Sequence, residues 1–156
     1  MKRSKEIADR FREVFLDGTW VANTNYKKQL NNITWHQAIK KVNSLNSIAV
    51  LTFHINYYVA GVLHFFEEGK LEIKDKYSFL ASEIVSKDDW ISLKNNLFEN
   101  AEKFANYIEQ LSNEELDSVF VDEKYGSYYR NIEGMIEHSY YHLGQISLIN
   151  KIIIED

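Results

Sequence analysis

The stretch Asn131–Ile149, NIEGMIEHSYYHLGQISLI, decides how the rest of the chain is read. As a helix it sets His138 and His142 four residues apart, one turn along a single face. At about 100° per residue the same stripe carries Met135, Gln145, Ile146 and Ile149. Glu133, Glu137, Tyr140, Ser147 and Lys151 fall on the opposite side. The two histidines therefore look inward, where an imidazole needs a partner. They are either core histidines satisfied by hydrogen bonds or a pair converging on one metal ion, whose bonds to histidine nitrogen are about 2.0–2.1 Å.

The remainder of the sequence favours long helices. The 156 residues are enough for one domain, residues 1–156, with a substantial core. There is no Pro and only 6 Gly, so breakers are few, and 45% of residues are hydrophobic. With a net charge of −5 and no extended Lys/Arg run, nucleic-acid binding is disfavoured. The absence of Cys excludes disulfides, thiolate ligands and a cysteine nucleophile. MKRSKEIADRF has a basic start but no apolar core, unlike a signal peptide. Residues 42–66 carry no Asp, Glu, Lys or Arg, yet they include Asn43, Asn46, His54, Asn56 and His64, which a bilayer tolerates poorly. The expectation is a buried helix in a soluble, cytoplasmic protein without a membrane partner.

In chain order, Ile7, Phe11, Val14 and Phe15 recur at helical spacing before Gly18. Residues 19–33 form a partly helical connection, and Thr34 with Gln37 makes a capping box opening a short helix through Lys41. The second long helix begins near Ser47, after Ser44 or Asn46 as N-cap. Residues 69–86 read as a crossover in which Tyr77-Ser-Phe-Leu can pack as a plug. Trp90, Leu93, Leu97, Ala101, Phe104, Ala105 and Ile108 give the clearest amphipathic helix, and Ser112-Asn-Glu-Glu opens another capped turn. The predicted fold is all-α: a four-helix bundle with long helices near residues 3–17, 46–68, 87–111 and 130–154. A short extra helix and a small hairpin or extended loop at 119–129 complete it.

On this plan His54, in the largely apolar row of the second helix, meets His138 and His142 if the two helices are neighbours. Three neutral imidazoles hold a divalent first-row ion and leave a position open, an arrangement typical of catalytic sites; zinc and nickel both suit it. His64 lies about 80° around the helix from His54 and is read as a boundary or surface residue. The zinc-protease pattern HExxH is absent, and no histidine has Glu three residues before it, which argues against a di-iron carboxylate site.

SIAVLTFHINYY on the second helix and IEHSYYHLGQI on the last resemble the DinB/YfiT-like superfamily, as does ITWHQA upstream. The resemblance implies a four-helix bundle in which His54, His138 and His142 bind a metal. Some members are metal-dependent transferases that use low-molecular-weight thiols such as bacillithiol or mycothiol; others are described as hydrolases. Here any thiol must be a cosubstrate, because the chain has none. Tyr58 and Tyr141 flank the predicted site and are candidates for positioning a small-molecule substrate, and Gln145 for supporting His142; packing is the commoner role for such residues. Two classes of function follow: a metal-dependent transferase or hydrolase, or a non-catalytic bundle that binds a metal or ligand. A homodimer is expected from the resemblance and from Gly144 and Ser147, small residues facing away from the histidines.

Overall fold

The computed structural model describes residues 2–155. Four long helical segments carry the architecture: α1 (Arg3–Arg12), continued by a π-helical turn over Glu13–Asp17; α4 (Ile48–Glu68); α5 (Lys87–Gln110); and α7 (Tyr128–Glu155). Three short helices sit in the connections: α2 (Tyr26–Asn31), α3 (Trp35–Ile39) and α6 (Asn113–Asp117). No strand occurs among the described residues. The 119–129 segment is extended around one antiparallel bridge, Val119 to Ser127, with a 3₁₀ turn at Glu123–Tyr125.

Local chemistry sets the helix ends. Ser47 caps α4 by accepting from the Val50 N–H, and Gly69 ends it in the left-handed conformation at φ 74°. Thr34 and Ser112 form reciprocal capping boxes with Gln37 and Glu115. Ser86 accepts from the Asp89 N–H at the start of α5. The last helix begins two residues earlier than its periodicity implies, because the Ser127 hydroxyl accepts from the Arg130 N–H at 3.2 Å.

Contacts along the helices define their directions. Ser4 and Arg12 of α1 reach Glu109 and Glu102 of α5, so these two run antiparallel. Asn56 and Phe66 of α4 meet Asn100 and Phe104 of α5, so these two run parallel. Phe66 and His54 of α4 face Tyr128 and His138 of α7, an antiparallel pair. Arg10 and Glu13 lie against Glu133 and Tyr140, so α7 runs parallel to α1. The result is an up-down-down-up arrangement that the crossover of residues 69–86 makes possible by returning the chain along the bundle.

Apolar stripes from all four long helices meet in one core. Phe11 stacks on Phe104 at 4.5 Å, Phe15 on Tyr26 at 5.0 Å, and Phe66 on Tyr107 at 4.3 Å. Trp90 is buried with its indole N–H donating to the Ile33 carbonyl at 2.9 Å. The Tyr26 hydroxyl donates to the Ser139 carbonyl at 2.8 Å, pinning α7 between its two histidines. The apolarity of α4 has the same cause: it is long and apolar enough to span a bilayer, but more than half of its most apolar window is buried in the protein.

Candidate metal centre

His54 enters the core six residues into α4, and His138 and His142 face it from successive turns of α7. His138 Nε2 lies 3.3 Å from His54 Nε2 and 2.9 Å from His142 Nε2. A tetrahedral ion with bonds of 2.0–2.1 Å requires edges of roughly 3.3–3.4 Å between its nitrogen ligands. All three ligand atoms lie within 4.8 Å of one another, so small movements of side chains complete the geometry. The three residues fit a divalent ion.

The orientation of two rings is fixed from behind. His54 Nδ1 donates to the Ser78 carbonyl at 3.1 Å. His142 Nδ1 donates to Gln145 Oε1 at 2.6 Å. A carbonyl accepts only, so each contact holds the hydrogen on Nδ1 and leaves Nε2 with its lone pair directed at the cluster. Metal-binding histidines generally use this device, which selects the tautomer and aims the ring.

Electrostatics act in the same direction. Burial lowers the His54 pKa to about 4, aided by the neighbouring His142 and His138 charges and opposed by the Ser78 carbonyl. Burial also lowers His138, with His142 adding to the effect, and lowers His142 against the contribution of Gln145. The imidazoles are therefore neutral at pH 7, the form that ligates.

Around the cluster, Phe79 stacks on His54 with ring centres 3.8 Å apart, and Ser78 is buried beneath it. The Tyr77-Ser-Phe-Leu segment thus covers the α4 side of the site. Tyr58 stands edge-on to His54 and His138 at 5.1 and 5.4 Å, and its hydroxyl donates to Asp75 Oδ1 at 2.9 Å. Burial, followed by Asp75, keeps the Tyr58 phenol protonated by raising its pKa. Tyr141 is mostly exposed and packs edge-on against His142 at 4.9 Å. Gln145 contacts His142 as described. His64 lies apart at the surface, 3.4 Å from Glu72, and His36 stacks on Trp35.

His54 and His142 are almost sealed, whereas His138 borders a groove of 440 Å³ that also touches Tyr58, Met135, Gly134 and Arg130. That groove is the approach from solvent. Reading of the sequence did not identify Ser78, Phe79 or Asp75 as neighbours of the site. Ser78 contributes a backbone carbonyl, for which residue type carries no signal, and the crossover has no periodicity to place the other two. Compared with protein-family models, curated proteins and solved structures, the chain matches none.

Proposed function

We propose that the His54/His138/His142 cluster holds a divalent ion, zinc or nickel, and that the loaded protein transfers a low-molecular-weight thiol to a small electrophile. The observation that carries this reading is the convergence of three Nε2 atoms, two of them aimed by acceptors on Nδ1. The resemblance of the two histidine segments to the DinB/YfiT-like superfamily supports the thiol chemistry and the DinB-like four-helix fold. When bound, the ion supplies positive charge that favours the thiolate over the thiol.

The chain's own residues supply the surroundings. In the transfer the thiol gives up its proton to solvent, a sulfur lone pair forms the S–C bond, and the bonding pair displaced from the attacked carbon leaves with the departing group or moves onto the adjacent atom, which takes a proton from solvent. Tyr58 has its proton engaged by Asp75, so its oxygen presents lone pairs to a group entering beside His138. Phe79 and Met135 keep the neighbourhood apolar. Asp75 also gives a hydrolase reading one specific support, as a carboxylate held beside the cluster.

Two measurements test the proposal. Elemental analysis of untagged protein should find one first-row ion per chain. Conjugation of bacillithiol, mycothiol, glutathione and coenzyme A to a test electrophile should be faster with metal than without. Equal rates in both forms, together with ester or amide hydrolysis that needs His142, would replace the transferase reading with the hydrolase one. No metal-dependent turnover of either kind would leave a metal-binding bundle.

A further inference from the structure

Arg130, Gly134 and His138 succeed one another at one-turn intervals along α7 and line the groove that reaches the cluster. Lys124, from the 3₁₀ turn ahead of the helix, lines its far wall. None of the lining residues is Asp or Glu, although the chain as a whole carries a net charge of −5. The two cations have partners outside the groove: Arg130 with Glu137 at 3.2 Å, and Lys124 with Asp122 at 3.8 Å. All four side chains are more than half exposed, and pairs of this kind are weak and screened by salt. A better-placed anion competes with them.

Gly134 gives the groove its floor. A Cβ there would meet nothing nearer than Arg130 Nη1 at 3.9 Å, so packing does not require the position to be bare. The bare Cα of Gly134 leaves the turn between Arg130 and His138 open along the groove. The Arg130 guanidinium reaches forward along α7 as far as Gly134 and Glu137, which brings it within about one turn, roughly 6 Å of axial rise, of His138.

We infer that this groove seats an anionic group, a carboxylate or a phosphate, belonging to the molecule that reacts at the histidine cluster. The anion lies against Arg130 and Lys124, and the rest of the molecule crosses Gly134 to reach His138. The inference rests on the metal-dependent reading above for its reacting end and on the groove alone for its anionic end.

Calorimetric titration of the zinc-loaded full chain with four probes separates the two. Mercaptosuccinate should bind roughly tenfold or more tightly than 2-mercaptoethanol, as charge-assisted contacts imply, and the advantage should shrink as salt is raised. In a Lys124→Gln/Arg130→Gln variant with full zinc content, the two thiols should bind within about twofold of each other. Gly134→Leu, which fills the floor at a position where leucine favours the helix, should weaken both thiols while zinc content is retained. Equal affinity of the two thiols for the unaltered protein, or a preference that survives the double substitution, would overturn the anion seat. Succinate and inorganic phosphate are the remaining probes, and their relative affinity tells a carboxylate seat from a phosphate seat. If neither thiol binds but one of these anions does, and the double variant loses it, the anion seat stands and the thiol reading falls. Failure of all four to bind would overturn the seat.

Discussion

Acid should destabilise the metal-free protein through His54 more than through any ordinary surface histidine. Its pKa is about 4 in the fold, lowered first by burial, against about 6.5 in an unfolded chain. Between those values the unfolded state binds more protons, so stability is complete above pH 6.5 and is lost as pH falls towards 4. Integrating over that window gives a loss of about 2 kcal/mol by pH 5 and about 3 kcal/mol by pH 4 from this one residue. The fold excludes His54 almost completely from solvent, so little screening reduces the effect. The comparison is His54→Gln, whose amide cannot titrate but reaches the Ser78 carbonyl in place of Nδ1–H. Urea unfolding of chelator-stripped protein, followed by far-ultraviolet circular dichroism at pH 7 and pH 5, measures the difference. The unaltered protein should lose about 2 kcal/mol more than the variant, roughly 1 M urea for a slope near 2 kcal/mol/M. Parallel losses in the two proteins would refute the argument.

Three further expectations concern binding and assembly. His54→Ala, His138→Ala and His142→Ala should each abolish stoichiometric metal binding, whereas His36→Ala and His64→Ala should leave it intact; elemental analysis after dialysis reads both. Gln145→Leu removes the acceptor on His142 Nδ1 and should weaken metal affinity about 10–100-fold, measured by competition with a chromogenic chelator. Tyr141 and Leu148 are exposed on α7 beside Gly144, whose missing Cβ has nothing within 4 Å. If that face joins two copies, sedimentation should give twice 18.4 kDa at micromolar concentration and the monomer mass for Leu148→Glu.

The helices were legible because their burial is one-sided. Trp90, Leu97, Phe104 and Ile108 repeat at helical spacing and are all buried. The two capping boxes were legible from four residues each. The histidine pair on α7 was visible as a spacing, but its meeting with His54 depended on which helices are neighbours, and periodicity says nothing about that. Tyr140 shows the limit: it falls opposite the histidines by helical phase, yet it is half-buried because α1 packs there, and its hydroxyl meets Glu13 at 3.2 Å. The π-helical turn after Arg12 left no sequence mark, since one wider turn preserves the apolar stripe through Val14 and Phe15.

The separation of the three histidines along the chain has a consequence for folding. His54 and His138 are 84 residues apart, so an ion gripping both acts as a detachable cross-link around more than half of the polypeptide. The loop it closes includes the whole of α5 and the crossover that supplies the Ser78 carbonyl. Any ion held there adds its binding free energy to the fold, about 2.7 kcal/mol at a free concentration one hundred times the dissociation constant. With an ion bound, the lifetime of the folded chain would rise and fall with the metal available to it. A cell short of that metal would hold less of the protein without changing its synthesis.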